Sequence, residues 1–303
     1  MDAQTRRRAR SMAEMAELQA PFFDPKEIAA SIKAWRPRPT DVVITPFGKC
    51  GTTWLQQTFH TLRTRGDMDF DDISRVVPWI ETAITCGIDI NAEQRAEPRG
   101  FKSHLTYDLL PRGAKAVVSL RDPKDALVSN YRFMEGWFFE RGSIPLADYA
   151  QGWLREQRPG YGYWNHLVSW WEQKDKPGVL VFSYEHMSAE PETHIRRLAA
   201  FCGIPLDDEL LALTLERSSL PYMLAHKDRF DDAMMRRISE ERCGLPPGSD
   251  SAKVREGKVG SHRQEMPAEI AEAMDAIWTR DVTPRLGFAT YADLEAALRS
   301  RAG

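Results

Sequence analysis

Three times along the chain a short β-branched run leads through a turn into a helical pattern, and this alternation constrains the fold more than any other feature. Asp41-Val42-Val43-Ile44-Thr45 precedes residues 52 to 64, where Leu55, Thr58, Phe59 and Leu62 recur at helical spacing. Ala116-Val117-Val118-Ser119-Leu120 precedes Asp122 as N-cap, Pro123 at the first helical position and Asp125 in the first turn, then Leu127, Asn130, Tyr131 and Met134 along one stripe. Gly178-Val179-Leu180-Val181-Phe182 precedes a helix opened by Pro191, with Ile195, Leu198, Ala199 and Cys202 on one face and Gly203 as its stop. The pattern predicts an α/β fold, a single domain with a central parallel sheet flanked by helices. Trp35-Arg36-Pro37-Arg38-Pro39-Thr40 is too proline-rich for regular helix, so residues 1–40 read as an N-terminal lead-in and 41–303 as the domain.

Charge narrows the choice of ligand. With 41 Lys and Arg against 44 Asp and Glu, the formal charge is -3, which excludes a broad cationic surface for nucleic acid or anionic membrane. Any basic site must be local. No apolar run approaches the ~18 residues of a membrane span, and Arg6 to Arg10 is followed by Glu14 and Glu17 where a signal peptide needs apolar residues. Cys50, Cys86, Cys202 and Cys243 lie far apart without a CxxC pair, which fits reduced thiols in a cytoplasm rather than a disulfide frame or zinc site. The expectation is a cytoplasmic protein without metal, nucleic-acid partner or membrane span, its oligomeric state open.

The first strand–loop–helix unit carries Gly48-Lys49-Cys50-Gly51-Thr52-Thr53-Trp54. Glycines let the backbone approach an anion, Lys49 adds a charge, Thr52 and Thr53 add hydroxyls, and the helix dipole favours negative charge at that end. This is a P-loop-like phosphate site, but not GxxxxGK followed by Ser or Thr, because no hydroxyl directly follows the lysine to hold magnesium. Taken alone, Lys49 between two glycines is more readily an incidental residue of a turn, and it is the flanking strand, helix and Thr52-Thr53-Trp54 that reverse this reading. Arg121 at the end of the second strand offers a planar fork to a phosphate, and Ser129 on the following helix a hydroxyl; alone, Arg121 fits a salt bridge with Asp122 or Asp125 equally well. In Phe101-Lys102-Ser103-His104-Leu105, residues 102 and 104 leave the same face of an extended segment, placing an ammonium beside an imidazole that can accept a proton at neutral pH.

The order Lys49-Cys50-Gly51-Thr52-Thr53-Trp54 resembles the cytosolic sulfotransferases, whose corresponding loop holds the 5′-phosphosulfate of 3′-phosphoadenosine 5′-phosphosulfate (PAPS). Five more segments are placed along the chain in that family's order. Arg121 with Ser129 resembles its 3′-phosphate site, and Lys102-Ser103-His104-Leu105 its Lys-x-His-Leu segment with the catalytic base. Tyr184-Glu185-His186-Met187 resembles the strand end whose tyrosine contacts adenine. Ser218-Ser219-Leu220 and Arg255-Glu256-Gly257 resemble, respectively, the adenine border and the late loop over the 3′-phosphate. The resemblance implies a sulfotransferase that moves a sulfuryl group from PAPS to a hydroxyl or amine of a small acceptor, releasing 3′-phosphoadenosine 5′-phosphate (PAP).

On that resemblance, His104 is the general base and Lys49 and Lys102 stabilise the sulfuryl group. Lys49, Cys50, Gly51, Thr52, Thr53 and Trp54, with Arg121, Ser129, Tyr184, Ser218, Leu220, Arg255, Glu256 and Gly257, hold the donor. Trp79, Phe133, Trp137 and Phe138 wall an apolar or aromatic acceptor pocket. The chain departs from the pattern at Gly48, Cys50, Leu220, Glu256 and Ser261-His262, and no dimerisation motif is recognisable after residue 263. A nucleotide-dependent kinase of related fold and a non-catalytic PAP-binding module are the alternatives.

Overall fold

The computed structural model describes residues 6–155, 160–249, 253–254 and 257–301. Its sheet has four parallel strands in the order β2-β1-β3-β4, with β1 at Val42–Ile44, β2 at Gly100–Lys102, β3 at Lys115–Leu120 and β4 at Val179–Ser183. Three of these were expected from β-branched runs. The added strand, β2, is the extended segment that carries Lys102, paired so that Lys102 lies beside Ile44. The helices Thr52–Thr64, Pro123–Met134 and Pro191–Cys202 begin and end where the sequence patterns place them. Asp122 caps the second through the Lys124 N–H, and Gly203, at φ 71°, closes the third.

Alternation along the strands divides the core. Val43, Phe101, Val118 and Val181 pack with Leu127 and Trp170 on one side of the sheet. Val42, Ile44, Val117 and Phe182 pack with Leu55, Phe59, Ile195 and Leu198 on the other. Two covered faces explain why the strand sequences are almost continuously apolar. Ahead of β1, residues 12–34 form two helices, Met12–Gln19 and Pro25–Ala34, and Met15, Phe22 and Trp35 are buried in the first of these cores.

From β1 the chain crosses to β2 on one side and then to β3 on the other, so the connection direction reverses at β1. In open parallel sheets, ligands bind at the carboxyl ends of the strands beside such a reversal. Those ends lead here directly to the 45–51 loop, His104, Arg121 and Tyr184.

Candidate active site

The loop after β1 is pressed against its neighbours. Lys49 has φ 68° and Gly51 φ 94°, both in the left-handed region, and a Cβ on Gly51 would lie 3.0 Å from the Tyr184 ring and 3.3 Å from Ser119 Oγ. Ser119 Oγ donates to the Cys50 carbonyl, and Arg121 Nη1 donates to the Lys49 carbonyl at 2.9 Å. The end of β3 therefore fixes the loop. Thr52 Oγ1 and Arg121 Nε are buried yet have no hydrogen-bond partner among the described residues. Both donors therefore have capacity that a bound group or a water molecule can take up.

Above the loop lies a cavity of about 500 Å3. Lys49, Gly51, Thr52, Thr53, Trp54, Lys102, His104, Arg121, Ser129, Tyr184, Ser218, Leu220 and Gly257 all line it, and so do Trp79, Phe133 and Trp137. The Arg121 guanidinium lies 4.3 Å from the Tyr184 ring centroid and its Nη2 donates to the Lys258 carbonyl at 3.1 Å. Asp125 Oδ2 accepts from the Gly260 N–H, and Oδ1 from the His262 N–H and the His262 ring. Burial would raise the Asp125 carboxyl, but these donors hold it at about 2. The start of one helix thus anchors the late glycine loop.

Four residues assigned from the sequence differ from this placement or lie beyond it. Cys50 does not line the cavity: it is 1% exposed, its thiol is pushed up to about 12 by burial, and only its backbone faces the loop's partners. An oxidation-sensitive thiol is not what the loop presents. Phe138 is fully buried, packed on Phe22, Phe23 and Trp137, and does not line the cavity either. Its neighbour Phe133, on the last turn of the Pro123–Met134 helix, does. Arg255 and Glu256 lie outside the described residues.

At the aromatic end of the cavity, Lys102 Nζ stands 4.0 Å from the Trp79 ring centroid and Lys49 Nζ 4.3 Å from that of Phe133. Burial, then Lys253, lowers the Lys49 ammonium to about 7 against the opposing pull of Asp232. Burial lowers Lys102 to about 8, with Asp232 again opposing. The His104 ring packs edge-on against Trp79 at 5.1 Å, and its backbone N–H donates to Glu81 Oε1 at 2.7 Å. Its Nδ1 lies 2.7 Å from the Pro46 carbonyl. A carbonyl can only accept, so Nδ1 carries the proton and Nε2 the lone pair. Burial and then Lys102 push His104 down to about 3, which keeps the ring neutral.

Sequence reasoning missed several residues here. Phe23, from the lead-in, lines the apolar end, beside Met134 of the 133–139 stretch. Glu81 positions His104 from the segment after Trp79. Asp232 and Lys253 form a buried pair in the cavity wall, with Nζ 2.5 Å from Oδ1. No local pattern marks Phe23, Asp232 or Lys253, because each arrives through a long connection.

This arrangement defines a class: an α/β enzyme with an anion-binding strand–loop–helix site, an arginine at the next strand end, and a neutral imidazole in a cavity shared with two lysines. The chain belongs to the sulfotransferase domain family, whose model matches residues 39–285. It is 27% identical over 266 residues to sulfotransferase 1B1 of Canis lupus familiaris, covering 84% of this chain and 87% of the relative. It is 26% identical over 296 residues to luciferin sulfotransferase of Photinus pyralis, covering 86% and 76%. Among solved structures, retinol dehydratase in complex with androsterone and inactive cofactor PAP matches with TM-score 0.69 and 18% identity, over 91% of this chain and 95% of that one. A mouse sulfotransferase complexed with PAP matches with TM-score 0.63 and 19% identity, over 92% and 94%.

Proposed function

We propose that the enzyme transfers a sulfuryl group from PAPS to a hydroxyl, or an amine, of a small apolar or aromatic acceptor, with His104 as general base. The observation that carries this reading is the fixed tautomer of His104, whose basic Nε2 belongs to a cavity shared with Lys49 and Lys102. The residues present fit the nucleotide. The unpartnered Thr52 Oγ1 and Arg121 Nε, together with Thr53 and Ser129, offer donors to phosphate groups, while Trp54, Tyr184, Ser218 and Leu220 offer a flat and partly apolar border to a base. Gly257 belongs to that reading, as do Arg255 and Glu256 by their place in the sequence.

When bound, PAPS supplies the sulfuryl group and leaves as PAP. His104 Nε2 takes the acceptor's proton, Nδ1 stays bonded to the Pro46 carbonyl, and Glu81 holds the backbone behind the ring. Lys49 and Lys102 face the developing negative charge from low-dielectric surroundings, where preorganised charge is most effective. They supply what a divalent ion would supply elsewhere, so metal independence is part of the proposal. Phe23, Trp79, Phe133, Met134 and Trp137 form an apolar wall that favours a phenolic, steroidal or lipid-like hydroxyl over a free sugar.

The four cysteines are free and, except Cys86, buried, which supports a cytoplasmic setting. No helix among the described residues is long and apolar enough to cross a membrane. The deciding experiment incubates the enzyme with PAPS and a mixed library of phenols, steroids and aliphatic alcohols, and looks by mass spectrometry for products carrying an added sulfuryl group. ATP should give none. Binding of PAP without any modified acceptor would instead indicate a nucleotide-binding module.

A further inference from the structure

Two charged residues in the cavity wall have no part in the roles above. Asp232 is 3% exposed and immediately precedes the helix Ala233–Arg242, where an aspartate ordinarily caps the first turn. It does not cap it. Its backbone is left-handed, at φ 57°, a conformation uncommon for residues other than glycine, though aspartate adopts it more readily than most. Asp232 Oδ1 instead lies 2.5 Å from Lys253 Nζ, with Ser74 Oγ at 3.5 Å. The Lys253 side chain is 8% exposed, and its carbonyl accepts from Lys49 Nζ at 3.3 Å.

The pair stands among the reacting groups. Asp232 acts electrostatically on both Lys49 and Lys102, and Lys253 acts on His104. A buried ion pair gives a fold little net stability, since apolar residues of similar volume do as well. Bringing a third ammonium beside Lys49 and Lys102 adds repulsion that one carboxylate only partly offsets. The arrangement makes sense if the cavity receives a group whose negative charge is spread over several oxygens. An ammonium has three donors, so Lys253 can bond Asp232 and still present N–H groups to such oxygens.

We propose that Lys253 is a third cation of the transfer centre, contacting the sulfuryl oxygens of the bound donor, and that Asp232 is the positioning residue that holds its ammonium there. The contribution is electrostatic and moves no proton. It rests on the reading that PAPS is the donor, and it extends that reading to a residue outside the recognised signatures.

The test compares the affinity of the full chain for PAPS and for PAP by calorimetry, because only PAPS carries the sulfuryl group. Lys253→Met should weaken PAPS by about tenfold or more while PAP stays within about twofold, the loss expected for one charge-assisted contact. Lys253→Arg should retain most of the PAPS affinity, and Asp232→Asn should show a smaller loss confined to PAPS. Equal losses for both nucleotides would make Lys253 a structural residue, and no loss for either would make it idle; both overturn the proposal. Lys253→Gln gives the same comparison if the methionine variant does not fold. A wild-type chain that binds neither nucleotide would refute the donor reading itself, a result distinct from failure of the Lys253 assignment.

Discussion

His104 Nδ1 and the Pro46 carbonyl are 2.7 Å apart, and that contact decides which imidazole nitrogen is basic. With the proton held on Nδ1, Nε2 is available as acceptor without any tautomeric change. His104→Ala should lower kcat by about 10² to 10⁴, the usual worth of a positioned base, while calorimetric affinity for PAP changes little. Near-wild-type turnover in this variant would remove His104 from the mechanism.

The same histidine should leave a distinctive pH profile. Its pKa is lowered to about 3, so the neutral, proton-accepting form persists far below the ordinary histidine range. Between about pH 6.5 and 5, kcat/KM, which reports ionisations of the free enzyme, should therefore lack the steep acid decline that an unshifted histidine near ~6.5 would impose. An acid limb centred near 6.5 that disappears in His104→Ala would contradict this environment.

Lys49 and Lys102 predict the opposite limb. Their ammonium forms are lost as pH rises through about 7 and about 8 in the ligand-free protein. An anionic nucleotide favours the charged forms, so binding at pH 8 should take up protons. PAP affinity should fall by roughly tenfold or more between pH 7 and 9, with binding heats that depend on the buffer's ionisation enthalpy. Lys49→Met should bind more weakly at pH 7 and lose part of this slope. A flat affinity across the range would mean that neither lysine titrates against the ligand.

Much of this framework was legible in the residues, for identifiable reasons. The strands at 42–44, 115–120 and 179–183, the Asp122 cap and the Gly203 stop all rest on local preferences. So does the meeting of Lys49, Lys102, His104 and Arg121, once parallel strands place their carboxyl ends together. Strand β2 gave a weaker signal because its three residues include Gly100 and Lys102. Phe138 could not be separated from Phe133 and Trp137, since neighbouring aromatics read alike whether they face a cavity or the core. Asp232, Lys253 and Phe23 reach the cavity through tertiary connections that no local spacing encodes.

Gly51 and Gly100 should fail differently when replaced by alanine. At Gly51 the new Cβ meets the Tyr184 ring at 3.0 Å with φ at 94°, so Gly51→Ala strains the loop and displaces a cavity residue. A loss of about 1–3 kcal/mol in urea unfolding should accompany weaker PAP binding. At Gly100 the Cβ would stand 2.3 Å from the Phe59 ring, in the core on the far side of β1 from Val43. Gly100→Ala should cost at least as much stability, through overpacking, while PAP affinity at a temperature where the variant is folded changes less.

The Asp41–Arg99 pair tests what holds β1 to β2. Arg99 Nε and Nη2 donate to the two Asp41 oxygens at 2.9 and 2.7 Å, and the side chains are 1% and 0% exposed. Arg99 also donates to the Asn91 and Arg36 carbonyls, so one guanidinium joins the proline-rich lead-in to the start of both strands. Removing the carboxylate leaves that charge buried, and Asp41→Ala should destabilise by about 3–5 kcal/mol in urea unfolding. Replacing both partners with apolar residues should recover much of the loss, because the uncompensated charge is then gone. If the single and double variants are equally destabilised, the pair acts through geometry that apolar packing cannot replace. If neither is, other contacts secure β1 and β2.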